Sequence, residues 1–216
     1  MGRLEPLVII PAFNEAPTLG SLLKELRSNC KILVIDDGST DDTVKVAQKN
    51  GVNFVSHNRN LGYAAALESG FKYAVEANYT HVITCDADGE HDPKVVLQAV
   101  KFLEKEPQML IIGKRRNRRR LSEHVAGSVC KKIWGIDDIF CGFKVYSMDL
   151  WEQYKKFETY DSCGTQLFLN GIRDGKKYIQ LSVDGVKRIG NSRFDTKIKA
   201  HIRILKQIYY FIISKC

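Results

Sequence analysis

Asp86 and Asp88 stand one residue apart after the short apolar run His81–Cys85. In an extended segment two such side chains share a side, so both carboxylates are expected to face one point. Their mutual repulsion is costly unless a cation neutralises it. A hard divalent ion with oxygen ligands, shared with a substrate diphosphate, is the usual solution. Two more turns that could meet a ligand follow apolar runs: Pro11-Ala12-Phe13-Asn14-Glu15 and Ile35-Asp36-Asp37-Gly38-Ser39. Positive charge is gathered elsewhere. The net charge is 33 − 25 = +8, and six of the cationic residues lie between Lys114 and Arg120. Such a local cluster argues for a specific anionic partner more than for general solubility.

Other phosphate-handling chemistries lack their motifs. No Gly-x-Gly-x-x-Gly follows a strand. The nearest approach to a P-loop, Gly185 to Ser192, has Asn191 where the phosphate-binding lysine belongs, so a dehydrogenase or P-loop ATPase is disfavoured. The arginine cluster has no nucleic-acid recognition motif beside it, and no nucleic-acid partner is expected. The six cysteines form no Cys-x-x-Cys pair and no zinc spacing. With no secretory signal and no apolar stretch near the roughly 20 residues a spanning helix needs, free thiols and a cytoplasmic location are expected.

The elements that must position these residues follow from periodicity. Apolar residues make up 44% of the 216 and charged residues 27%, ordinary globular usage. Short apolar runs alternate with amphipathic ones, the pattern of an α/β sheet with helices on both faces. Strands are expected at Leu7–Ala12, Lys31–Ile35, Asn53–Ser56, His81–Cys85 and Met109–Ile112, with helices between them. The second half is expected to hold helices near 123–134, 148–157 and 165–173, with strands near Phe143–Tyr146 and 178–183. Asp41, Asp42 and Asp92 read as helix caps. One domain is expected over 1–216: a nucleotide-binding half at about 1–113, an acceptor half at about 114–195 and a basic amphipathic helix at about 196–214. In open α/β sheets ligands bind beyond the carboxyl ends of the strands, where the acidic turns fall.

Three motifs in order, Pro11–Glu15, Val34-Ile35-Asp36-Asp37-Gly38-Ser39-Thr40-Asp41 and Asp86-Ala87-Asp88, resemble glycosyltransferase family 2 on a GT-A fold, a Rossmann-like, mostly parallel sheet. Asn58-Arg59-Asn60-Leu61-Gly62, Asp88-Gly89-Glu90-His91-Asp92-Pro93, Asp138-Ile139-Phe140-Cys141-Gly142-Phe143-Lys144 and Arg188–Phe194 are similar to the polyprenyl-phosphate (dolichol-phosphate) mannose and glucose synthases within it. The resemblance covers about residues 6–200. It implies an inverting, metal-dependent enzyme that moves a hexose from a nucleotide-diphosphate sugar, UDP- or GDP-linked, to a dolichyl or undecaprenyl phosphate. The alternative is transfer to a hydroxyl of a glycan or lipid-linked saccharide.

The resemblance further implies that Pro11, Ala12, Phe13 and Glu15 surround base and ribose, and that Asp37 or Asp36 hydrogen-bonds them. Asp86, Ala87 and Asp88 would face the diphosphate. Asp86, Asp88 and Glu90 would hold Mg²⁺ or Mn²⁺, Glu90 replacing a frequent glutamine and Phe13 a frequent tyrosine. Arg115, Lys144, Arg188, Ser192 and Arg193 are implied at the acceptor or its phosphates. Asp138 is implied as the residue that aligns the acceptor or acts as base. His91 reads as structural. Arg116 to Arg120 reads either as a solvated loop or as a contact for anionic lipid headgroups. The basic C-terminal stretch can pack on the core, on a membrane surface or on a partner.

Overall fold

The computed structural model describes residues 3–89, 91–116, 121–155 and 164–183, together with Lys206 and Tyr209. The first half alternates strand and helix as the periodicity predicts: β1 (Pro6–Ala12), α1 (Ala16–Leu26), β2 (Lys31–Asp36), α2 (Thr43–Lys49), β3 (Asn53–Ser56), α3 (Tyr63–Glu76), β4 (His81–Thr84), α4 (Pro93–Lys105) and β5 (Leu110–Lys114). Then follow α5 (Leu121–Trp134), β6 (Lys144–Ser147), α6 (Met148–Tyr154), α7 (Thr165–Arg173) and β7 (Tyr178–Ser182). The expected C-terminal helix lies outside the described residues apart from Lys206 and Tyr209, both helical.

The strands form one sheet in the order β3-β2-β1-β4-β6-β5-β7. Strand direction alternates residues between two cores. Leu7, Ile9, Leu33 and Ile35 face one core with Phe71 of α3, Cys130 of α5, Trp151 of α6 and Phe168 of α7. Val8, Ile10 and Val34 face the other with Leu19 and Leu23 of α1, Ala47 of α2 and Val96 of α4. Helices on both faces explain why the central strands read as unbroken apolar runs. Phe71 is the aromatic hub of the first core, 4.7 Å from the Trp151 ring and 5.5 Å from that of Tyr146.

Two features of this topology create the site. Strand order reverses at β1, with β2 on one side and β4 on the other, both parallel to it. This is the switch point at which open α/β sheets bind ligands. Second, β6 runs antiparallel to both β4 and β5, with Lys144 paired to Thr84. The amino end of β6 therefore lies at the carboxyl end of β4, so residues 138–143 arrive beside Asp86. Among the expected caps, Asp92 accepts from Lys94 N at 2.9 Å and Asp41 from Thr43 N at 3.0 Å. Asp42 holds the N-cap position of α2 without a side-chain cap bond, its carboxylate pairing with Lys45 at 2.7 Å.

Candidate active site

The turn after β1 and the turn after β2 are laced into one unit. Asn14, in the left-handed region with φ 52°, accepts from Thr40 N at 2.8 Å and Asp41 N at 3.3 Å. Asn14 N donates to Ser39 Oγ at 2.8 Å, Glu15 N to Thr43 Oγ1 at 2.9 Å and Ala16 N to Asp41 Oδ2 at 3.2 Å. Pro11, Ala12, Phe13 and Glu15 thus stand beside Asp36 and Asp37. Asp36 is buried and accepts from Ser39 N at 3.2 Å. Glu15 is buried as well, its carboxylate accepting from Thr18 Oγ1. Asp37 takes Leu61 N at 2.9 Å on Oδ1 and Gly62 N at 2.8 Å on Oδ2, while His57 Nδ1 lies 2.7 Å from Oδ1.

The carboxylate pair sits at the other side of the switch point. β4 stops at Thr84, and Ala87 and Asp88 form a turn. Strand alternation, the reason first given for their convergence, therefore does not operate there. His91, buried at the same turn, holds Asp86 instead. Its Nδ1 accepts from Asp86 N at 3.3 Å, and its Nε2 lies 3.8 Å from Asp86 Oδ2. Burial pushes the His91 pKa down, partly opposed by Asp86, Asp88 and Asp138, with Arg115 adding to the fall. One neutral imidazole thus feels groups from both halves of the chain. Burial also pushes the flanking thiols up, Cys85 strongly and Cys141 to about 12, so neither is a nucleophile at neutral pH.

Asp86 is held from three sides. Tyr63 OH donates to Oδ1 at 2.8 Å, and His91 stands on the Oδ2 side. Gly142 packs so closely that a Cβ there would overlap Oδ2 and lie 2.7 Å from Oδ1. The donor set suits a hard divalent ion. Asp86 is 25% exposed at the side chain and Asp88 is buried beside it. Two carboxylates completed by substrate phosphates are a usual magnesium arrangement. Among the described residues no three His, Cys, Asp or Glu side chains form a metal cluster. Glu90, the third expected ligand, lies outside the described residues, as do Arg188, Ser192 and Arg193.

The basic cluster divides. Lys114 Nζ reaches Asp137 at 2.8 Å, and Arg115 turns inward onto Asp138. Arg115 Nε and Nη2 grip Oδ2 and Oδ1 at 2.7 and 3.0 Å, and Arg115 N adds a third bond to Oδ2 at 3.2 Å. Burial works against the guanidinium charge, but the hydrogen bonds and charge of Asp138 outweigh it and raise the Arg115 pKa. Lys144, implied at the acceptor phosphate, is fully buried and donates to the Cys141 carbonyl. Sequence reasoning assigned no role to Tyr63 or His57. The signal for His57 was its place at the carboxyl end of a parallel strand, the rule that marked Asp36 and Asp86.

The family described as Glycosyl transferase family 2 matches residues 7–161. A dodecaprenyl-phosphate galacturonate synthase of Rhizobium johnstonii is 28% identical over 70% of this chain and 50% of its own. An undecaprenyl-phosphate mannosyltransferase of Micrococcus luteus is 27% identical over 87% of this chain and 86% of its own. The chain spans about half the length of several curated relatives it matches. Glucosyl-3-phosphoglycerate synthase from Mycobacterium tuberculosis, crystallised with Mn²⁺, UDP and glucosyl-3-phosphoglycerate, superposes with a TM-score of 0.75 at 20% identity, covering 99% of this chain and 80% of that one. Among the described residues no helix is long and apolar enough to cross a membrane.

Proposed function

The chain belongs to glycosyl transferase family 2 and is a glycosyltransferase on a GT-A fold, and from that premise we propose that it transfers a hexose from a UDP- or GDP-sugar to a polyprenyl phosphate, with inversion at the anomeric carbon and with Mg²⁺ or Mn²⁺. The relatives named for dodecaprenyl and undecaprenyl phosphate support that acceptor class. The work would be done at the cytoplasmic face of a membrane, where such an acceptor presents its phosphate. In this assignment residues 1–113 serve the donor. Pro11 to Glu15, Asp36 and Asp37 line base and ribose, and Asp86, Ala87 and Asp88 face the diphosphate. Asp86 and Asp88 would hold the ion, with Glu90 as a third candidate ligand. When bound, the ion supplies positive charge to the departing diphosphate.

The observation that carries the choice of acceptor is the Arg115–Asp138 pair. A hydroxyl acceptor must lose a proton to a base within about 3 Å. Asp138 is the acid best placed for that task, yet both its oxygens are engaged by Arg115. A phosphate monoester has its second pKa at about 6, so it is an anion at neutral pH and attacks without a base. Asp138 then orients Arg115 rather than taking a proton, and Arg115 presents its remaining N–H groups to the acceptor phosphate. Arg188, Ser192 and Arg193 are further candidates for phosphate contact.

The test is incubation of the pure protein and Mn²⁺ with labelled UDP- and GDP-hexoses and a short polyprenyl phosphate, following label into organic solvent. Transfer to a product labile to mild acid, as a sugar phosphodiester is, is the expected result. An acid-resistant glycoside would move the assignment to a hydroxyl acceptor. No transfer to either acceptor class would overturn the assignment altogether.

A further inference from the structure

Resting on the donor site described above, we propose that His57 is a positioning residue for that site, acting through Asp37 to hold the 57–62 loop as one wall of the nucleotide pocket. His57 directly follows β3, and its N–H donates to Asp36 O at 2.9 Å. This continues the β2–β3 ladder and fixes the ring at the carboxyl rim of the sheet. Nδ1 lies 2.7 Å from Asp37 Oδ1 and Nε2 2.9 Å from Ser69 Oγ on α3. The ring is 10% exposed and the Asp37 side chain 5%. The tautomer that donates from Nδ1 to the carboxylate leaves Nε2 as an acceptor for the Ser69 hydroxyl.

The same carboxylate binds Leu61 N and Gly62 N. Gly62 opens α3 without a side-chain cap of its own, so Asp37 supplies negative charge to that helix start from across the rim. The loop is pressed on the turn after β2. A Cβ at Gly38, where φ is +74°, would lie 2.5 Å from Arg59 C. The next residue after the clamped pair is Tyr63, which hydrogen-bonds Asp86. His57 therefore sits at the head of a chain of contacts running through Asp37 and the loop to the diphosphate side of the pocket.

The order Asp37–His57–Ser69 is that of a hydrolase triad, but the place of Ser69 in the fold argues against that chemistry. Ser69 lies in the middle of α3, where backbone N–H groups are bonded within the helix and so do not form an oxyanion hole. Its hydroxyl instead steadies the far side of the ring.

Two mirrored substitutions separate a clamp from a filler of space. In His57→Asn the amide nitrogen takes the place of Nδ1 and keeps the bond to Asp37. In His57→Gln it takes the place of Nε2 and keeps only the Ser69 side. The readouts are amide hydrogen exchange at Leu61 and Gly62, UDP and GDP affinity by calorimetry with Mn²⁺, and kcat and KM for each substrate. H57Q is expected to speed exchange at both amides and to weaken nucleoside-diphosphate binding about tenfold, a difference of about 1.4 kcal/mol. Acceptor KM should stay within about twofold and H57N near the parent throughout. Equal behaviour of the two variants, or unchanged exchange and nucleotide affinity in H57Q, would overturn the proposal. Faster exchange in H57Q of a protein whose parent binds neither UDP nor GDP would instead overturn the donor site, and the positioning role with it. If H57Q does not fold, Ser69→Ala serves. A shift of about threefold in the same two readouts supports the clamp, and no shift sinks it.

Discussion

Arg115 and Asp138 face each other fork to fork, with two side-chain bonds of 2.7 and 3.0 Å, and with side-chain exposures of 18% and 2%. A carboxylate so engaged is a poor base and a good anchor. Asp138→Asn keeps an acceptor and much of the shape. It is expected to reduce transfer to a phosphate acceptor by about tenfold, well short of the roughly 10²–10⁴ that loss of a general base costs. Among the described residues, Asp138→Ala leaves Arg115 with Glu123, 3.7 Å away, as its acidic partner. It should destabilise the fold by about 3 kcal/mol, as removal of one partner from a buried pair does. Steady-state rates with chemical denaturation check both, and loss of turnover beyond 10³-fold in D138N would restore the base assignment.

Asp88 is assigned to the ion and the diphosphate. Asp88→Ala should therefore abolish turnover and remove the metal dependence of nucleotide binding, and chelation of divalent ions should do the same to the parent protein. Nucleotide affinity measured with and without Mn²⁺ is the check. Metal-stimulated activity retained in D88A would reject the assignment.

The alternation of apolar runs placed the first five strands to within a residue or two, because buried parallel strands and amphipathic helices carry their periods locally. The acidic turns were legible for the same reason: each follows its strand directly. The reversal of β6 was not. Its proof is contacts such as Thr84 Oγ1 with the Gly142 carbonyl, 58 positions apart, and no local pattern encodes a pairing of that range. With β6 unplaced, the burial of Lys144 was not legible either. The inward turn of Arg115 was hidden likewise, since a run of cations looks alike whether its members face solvent or a carboxylate 23 positions away.

Two glycines should answer oppositely to alanine. At Gly20, inside α1, a Cβ would make ordinary contact with Val46 Cγ1 at 3.5 Å. Gly20→Ala should stabilise by about 0.5–1 kcal/mol through lower backbone entropy in the unfolded chain. At Gly142 the new methyl would displace the Asp86 carboxylate from its seat between Tyr63 and His91. Gly142→Ala should cost about 1–3 kcal/mol, as overpacking does, and lower transfer at least tenfold. Thermal denaturation and rate measurements on both variants decide the matter, and an active, undisturbed G142A would show that Asp86 need not stay where it is.

His81 gives a pH dependence remote from the reaction. It opens β4, is buried, and its Nε2 lies 2.6 Å from the Pro107 carbonyl and its Nδ1 3.0 Å from Thr80 Oγ1. Nε2 donates to the carbonyl, and Thr80, already accepting from Glu5 N, directs its hydroxyl to Nδ1. Burial lowers the His81 pKa, only partly offset by the bond to Pro107 and the charge of Asp149. The unfolded ring titrates at about 6.5, so between that value and the lower folded one the unfolded chain binds the extra proton. The contribution of His81 to stability is therefore complete above about pH 6.5 and is lost as pH falls through its folded pKa. His81→Gln keeps the donor to Pro107 but cannot titrate. The melting temperature of the parent should fall more steeply than that of H81Q from pH 7 towards pH 5, and parallel curves would show that the ring's protonation is not what weakens the fold there.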